Sequence, residues 1–162
     1  MNSSKGFVAK AMSGFGRIDI VINNVGGSMP KDFLDTSEKD FAGAFHFNVT
    51  TAFALSKAAV PHMQQNGGAI VNISSSIGQM TGKGFTAYGT VKGAMTHFTK
   101  LLAEVLAPKI RVNAIAVGLT ATSALESVLT NDTVHNDLVD AQSLIHHAHP
   151  TVLATLLSHN HG

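Results

Sequence analysis

Apolar residues along this chain fall into two patterns: short unbroken runs, and longer stretches with helical recurrence. Between residues 5 and 15, Phe7, Val8, Ala11 and Phe15 share one side of a helix end, which Gly16 stops. Residues 19–23 (DIVIN) are a short β-branched run that reads as a buried strand. Asn24, Val25, Gly26, Gly27 and Pro30 then break the chain into a loop. A long helix is predicted from near Ser37, where Asp40, three residues on, makes a weak capping box. Its apolar positions Phe41, Phe45, Ala52, Leu55 and Ala59, with Asn48 added, follow a 4, 3, 4, 3, 4 spacing, which is one helical face. Asn48 therefore sits in the middle of an apolar stripe. Gly67 and Gly68 close the helix region, and residues 69–74 (AIVNIS) form a second strand. Glycine-rich sequence runs to about Phe85. A second long helix is predicted over 87–106, with Val91, Met95, Phe98, Leu102 and Val105 as its stripe and Pro108 as its end. Residues 111–116 (RVNAIA) form a third strand.

Strand, helix, strand, helix, strand at these lengths predicts an α/β fold, a parallel sheet with right-handed crossovers. In such sheets ligands bind beyond the carboxyl ends of the strands. Those ends carry Asn23 to Gly27, then Ser74, Ser75 and Ser76, then Val117, Gly118, Leu119 and Thr120. Ordinary turn chemistry and a ligand-binding rim account equally well for these small and polar residues.

Length and composition narrow the classes. The 162 residues are about one domain by the rough rule of ~150 residues per domain. Charged residues make up 13%, against a usual ~25%, which excludes disorder and coiled coil and suggests that part of the surface is covered. A formal net charge of +1 gives no electrostatic case for nucleic acid or an anionic membrane. With no Cys there is neither a disulfide framework nor a thiolate metal site. No run of ~18 apolar residues spans a bilayer, and the first residues lack a signal peptide's apolar region, so a cytoplasmic location is expected.

Tyr88 is the sole tyrosine, and Lys92, four residues later, lies on the same helical face. An ammonium ~4 Å from a phenol at an effective dielectric of ~20 is worth roughly 4 kcal/mol, which would bring the phenol's pKa down toward neutrality. Such a phenol can act as a general acid or base. A solvated helix pair is the plain alternative. Asn48 needs a partner, because an unpaired buried amide costs ~1–3 kcal/mol; a structural hydrogen bond would satisfy it. The three serines could equally be turn filler.

Taken in order, NNVGG after a strand, an Asn in the following helix, a strand ending ISSS, then YxxxK, then RVNAIAxG resemble the short-chain dehydrogenase/reductase family over about residues 5–140. The likeness is strongest to the bacterial branch that includes 7α-hydroxysteroid dehydrogenase and general ketone or alcohol reductases. The resemblance implies a Rossmann-like, doubly wound parallel sheet of which only the central to C-terminal strands are present. It implies Tyr88 as catalytic acid/base, with Lys92 lowering its pKa and holding the nicotinamide ribose. Ser75 would hydrogen-bond the substrate oxygen, and Asn48 would position a water in a proton relay. Asn24 and Gly26 would border the cofactor's adenosine side, and Gly118, Thr120 and Thr122 its carboxamide. The implied reaction is hydride transfer between NAD or NADP and a secondary alcohol or ketone, hydroxysteroids among the candidates. The implied partners are that small molecule and a second copy of the chain, packed through the two long helices.

The chain also departs from the family pattern. Met1 falls within the helix before the family's fourth strand, so the chain reads as N-terminally truncated, without the glycine-rich phosphate loop. Losing three hydrogen bonds of about 1.5–3 kcal/mol each would weaken cofactor binding by roughly 10³–10⁷-fold. NAD and NADP are not distinguished. Val25, where the family has Ala, adds two methyl groups in a tight place. Residues 1–141 read as the family domain, and 142–162 as a divergent, His-rich, poorly ordered tail. Six of the nine His lie from His135 onward, with no carboxylate or Cys cluster to fix a metal, so no metal site is expected. The alternative to an enzyme is a catalytically silent remnant that serves at most as a dimerising module.

Overall fold

The computed structural model describes residues 3–118 and the two-residue strand 155–156. Its elements, in order, are α1 (Ser3–Phe15), β1 (Ile20–Asn23), α2 (Glu38–Phe45), α3 (Thr51–Met63), β2 (Gly68–Ser75), α4 (Thr86–Leu106), β3 (Ile110–Val117) and β4 (Thr155–Leu156). The sheet order is β1-β2-β3-β4. β1 and β3 flank β2 in parallel, with Val21 opposite Ile70 and Ile70 opposite Val112. β4 joins β3 antiparallel at Ile115 and Ala116. The three expected strands and their parallel sense are present. The tail 142–162 lies outside the described residues, apart from β4.

One face of the sheet makes the core. Val21, Ile70, Ile110 and Val112 are buried against Val8 of α1 and Ala59 and Met63 of α3, with Leu102 and Leu106 of α4 packed alongside. A polar ladder crosses this core. The Asn23 amide donates to Ser56 Oγ (3.0 Å) and Asn72 Oδ1 (2.7 Å), and Asn72 donates to Thr99 Oγ1 (2.9 Å). Every buried side-chain polar atom among the described residues has a partner, so the ladder avoids the cost of stranded donors. On the other face of β1, Ile20 and Ile22 are 63% and 60% exposed.

The helix beginning at Ser37 is capped as the sequence predicts: Ser37 Oγ accepts from the Asp40 amide, and the Asp40 carboxylate accepts from the Ser37 amide. It is not one regular helix. A π-helical turn over His46–Thr50 separates α2 from α3, closed by a hydrogen bond from the Thr51 amide to the His46 carbonyl. This turn takes up one more residue than an α turn. The upstream register therefore rotates: Ala44 is buried, while Phe41 and Phe45, predicted to face inward, are exposed. Downstream, Ala52, Ser56, Ala59 and Met63 keep ordinary helical spacing and are buried.

Two other predicted stripes shift in the same sense. In α1 only Val8 is buried, and Phe7 and Phe15 face outward. In α4, Val91 and Met95 are buried as expected, but Val105 is 76% exposed. The inward face of α4 continues through Lys92, Thr96 and Thr99, polar residues that a search for apolar periodicity passes over.

Candidate active site

Four segments converge at the carboxyl end of β2. Ser75 is its last residue, Tyr88 and Lys92 lie on the first turns of α4, Asn48 sits in the π turn, and Gly26 and Gly27 follow β1. The Ser75 hydroxyl donates to the Val117 carbonyl at 3.2 Å, tying the ends of β2 and β3 together, and acts on the Tyr88 phenol from its side of the site.

Lys92 is buried. Its Nζ lies 5.5 Å from the Tyr88 ring centroid and donates to the Ile73 carbonyl at 3.0 Å. The sequence predicted that this ammonium would acidify the phenol. The structure gives the opposite direction: burial pushes the Tyr88 phenol above its ordinary value, and the Ser75 hydroxyl pulls it back by less. Helical spacing put the two side chains on one face, but the amine runs past the ring to a strand carbonyl. Burial also pushes Lys92 down, since a dry surrounding disfavours the ammonium.

Asn48 is fully buried with its amide engaged. Oδ1 accepts from the Gly27 amide (3.0 Å), and Nδ2 donates to the carbonyls of Gly27 (2.9 Å) and Ala44 (2.8 Å). It thereby clips the loop after β1 onto the π turn. The bond back to the Ala44 carbonyl is a side chain competing with the helical ladder inside the π turn. Gly26 sits where Asn48 and Lys92 meet: a Cβ there would lie 2.5 Å from Asn48 Oδ1 and 3.0 Å from Lys92 Nζ. Asn48, Gly26, Lys92, Tyr88 and Ser75 thus form a connected cluster.

The remaining expected cofactor residues are placed differently. Asn24 is exposed at the start of the loop, and Gly118, just past β3, has open space where a Cβ would be. Thr120 and Thr122 lie outside the described residues. Val25, expected in a tight place, is exposed, so its extra methyl groups meet solvent. Ser74 is more than turn filler. It is buried, donates to the Lys92 carbonyl at 2.8 Å and meets Thr96 Oγ1 at 3.0 Å. Its alternation with Asn72 on the inward face of β2 was the available signal.

A cavity of about 400 Å³ lies beside α4, lined by Ile77, Met80, Phe85, Thr86, Thr90 and Ala94 among others. Ser75, Tyr88 and Lys92 do not line it. Among the described residues no three His, Asp or Glu side chains converge as metal ligands, and no helix is long and apolar enough to cross a membrane.

Known proteins carry the same pattern. The family model described as enoyl-(acyl carrier protein) reductase matches residues 1–158. An uncharacterized oxidoreductase of Mycobacterium tuberculosis is 52% identical over 137 residues, 83% of this chain and 52% of its own. The 7α-hydroxysteroid dehydrogenase of Escherichia coli K12 is 40% identical over 122 residues, 74% of this chain and 48% of its own. This chain therefore spans about half the length of these curated relatives. Among solved structures, a Burkholderia xenovorans protein described as a short-chain dehydrogenase/reductase superposes with a TM-score of 0.83 at 32% identity, covering 93% of this chain and 59% of that one. An NAD+-bound xylitol dehydrogenase gives 0.74 at 37%, covering 81% and 52%. Motif order, sheet topology and these likenesses agree: the chain belongs to the short-chain dehydrogenase/reductase family, and the curated relatives named here are oxidoreductases.

Proposed function

We propose that this chain carries the proton-handling side of an NAD(P)(H)-dependent oxidoreductase acting on a secondary alcohol or ketone, hydroxysteroids included. The observation that carries the reading is the gathering of Ser75, Tyr88 and the buried Lys92 amine at the carboxyl end of β2, with Lys92 Nζ 5.5 Å from the Tyr88 ring centroid. With its pKa raised by burial, Tyr88 keeps its proton at neutral pH. It is therefore a general acid suited to protonating a ketone oxygen as that oxygen gains charge. Ser75, within reach of the same phenol, donates to that oxygen. Asn48 holds the loop after β1 against Lys92, its amide engaged by Gly27 and Ala44; the proton relay through a water is the role this reading gives it.

The residues fit the ribose and nicotinamide side of such a cofactor. Among the described residues, the Lys92 amine has one hydrogen-bond acceptor, the Ile73 carbonyl, so two of its three donors remain for ribose hydroxyls. A side chain at Gly26 would collide with Asn48 Oδ1 and Lys92 Nζ, so glycine there lets the loop after β1 lie against that amine. NAD or NADP supplies or accepts the hydride when bound. Asn24, Gly26, Gly118, Thr120 and Thr122 are the further cofactor residues in this reading, and the setting is cytoplasmic.

A second reading draws on a different observation. Phe45, Phe47, Phe53, Leu101 and Val105 expose apolar surface on α2, the π turn, α3 and α4, a surface suited to a second copy of the chain. It supports a homo-oligomer, and in the absence of activity a silent dimerising module. Titrating purified chain with NADH and NADPH by fluorescence, then assaying ketone reduction against Tyr88→Phe, separates the two. The oxidoreductase reading expects saturable binding and a turnover that falls by at least ~10²-fold in the variant. No binding at millimolar cofactor would sink it and favour the module.

A further inference from the structure

We propose that Ser74 is a positioning residue: it holds the main chain of Lys92 while the preceding strand residue, Ile73, holds that lysine's amine, and together they fix where the amine ends beside Tyr88. The inference rests on the reading of Lys92 given above and adds a residue to it.

β2 pairs with β1 only as far as Asn72, opposite Asn23. The next carbonyl, that of Ile73, accepts from Lys92 Nζ at 3.0 Å. The next side chain, Ser74, is buried and donates to the Lys92 carbonyl at 2.8 Å. Consecutive residues of one strand thus grip both ends of one lysine. Thr96 reinforces the grip on the main chain. Its Oγ1 is buried 3.2 Å from the same Lys92 carbonyl and 3.0 Å from Ser74 Oγ, so two hydroxyls and one carbonyl close a triangle between β2 and α4.

A lysine carries its charge on a flexible four-carbon stem, so the charge goes where its surroundings hold it. Here the amine lies between the Tyr88 ring, with its centroid 5.5 Å away, and Gly26, where a Cβ would lie 3.0 Å from Nζ. A slip of α4 along the strand by about 0.5 Å would stretch the bond to Ile73 to the limit of a hydrogen bond. Ser74 opposes that slip at the very residue that bears the amine. Asn72, two residues back on the same face of β2, also bonds α4, but through Thr99, two turns beyond Lys92. It secures the helix without holding Lys92.

Reductive methylation with formaldehyde and a borohydride, read by mass spectrometry, compares Lys92 with Lys100, an exposed lysine on the same helix. Ser74→Ala should raise the Lys92-to-Lys100 labelling ratio by about 2- to 10-fold, the range for one hydrogen bond lost. Thr96→Val, nearly isosteric, should raise it by less, and Thr96→Ser, which keeps the hydroxyl, should leave it at the wild-type value. Asn72→Ala should leave it there too, although that variant loses stability. An unchanged ratio in folded Ser74→Ala, or a rise in Asn72→Ala equal to that in Ser74→Ala, overturns the proposal. Should Ser74→Ala not fold, an unchanged ratio in Thr96→Val does the same. In the wild-type chain, millimolar NADH or NADPH should lower the ratio. Absence of that protection contradicts the cofactor role given to Lys92 under the proposed function, whereas a rise in the Ser74→Ala and Thr96→Val ratios upholds the grip on its amine.

Discussion

The two faces of the sheet are built from the same strands and packed in opposite ways. On one face Val21, Ile70 and Val112 lie under α1, α3 and α4, and even the polar groups Asn23, Asn72 and Thr99 are fully paired. On the other, the isoleucines of β1 stand in the open. Alternation along a strand sends successive residues to opposite faces, so Val21 and Ile22 differ in surroundings though adjacent in sequence. The comparison teaches where stability and chemistry reside. The helices that cover one face also deliver Asn48, Tyr88 and Lys92 to the strand ends, so the packed face and the proposed site are one construction.

Substitutions on the two faces should therefore differ most. Ile70→Ala, at a fully buried position, should cost about 2–5 kcal/mol in urea unfolding. Ile22→Thr should stay within about 0.5 kcal/mol, as an exposed position does. Equal costs would break the comparison. Next in size, Asn72→Ala strands an Asn23 donor and leaves Thr99 without its Asn72 donor, at roughly 1–3 kcal/mol for a buried group left unsatisfied. The same measurement checks it, and a neutral result would mean that the ladder is replaced by water. Smaller still, Ser37→Ala removes the cap of α2 at about 1 kcal/mol. Asp40 shares that cap. Its bonds to Lys31 and Ser37 hold its carboxyl well below the usual carboxylate range. What it contributes is thus present above that range and fades as pH falls through it, so acid should narrow the gap between wild type and Ser37→Ala.

Much of this was legible in the sequence. β-branched runs at 19–23, 69–74 and 111–116 gave the strands, and Ser37 with Asp40 gave the cap, because both depend on local chemistry. The convergence of Ser75, Tyr88 and Lys92 followed from family resemblance and helical spacing. Three things did not show. The π turn changes helical phase without an apolar signal, which misplaced Phe41 and Phe45. Thr96 and Thr99 are buried through hydrogen bonds, which hydropathy cannot score. The electrostatic sense of Tyr88 depended on where a flexible amine ends, and the Ile73 carbonyl decides that.

The account depends most on Tyr88 being a buried phenol that keeps its proton because desolvation outweighs the pull of the Ser75 hydroxyl. The direct measurement is the tyrosinate absorbance titration of the wild-type chain, folded and in denaturant. The folded midpoint is expected above the unfolded one, near the ordinary value of 10.0, with stability declining as pH rises through that interval because the folded phenol holds a proton the unfolded chain has lost. A folded midpoint equal to or below the unfolded one would contradict it.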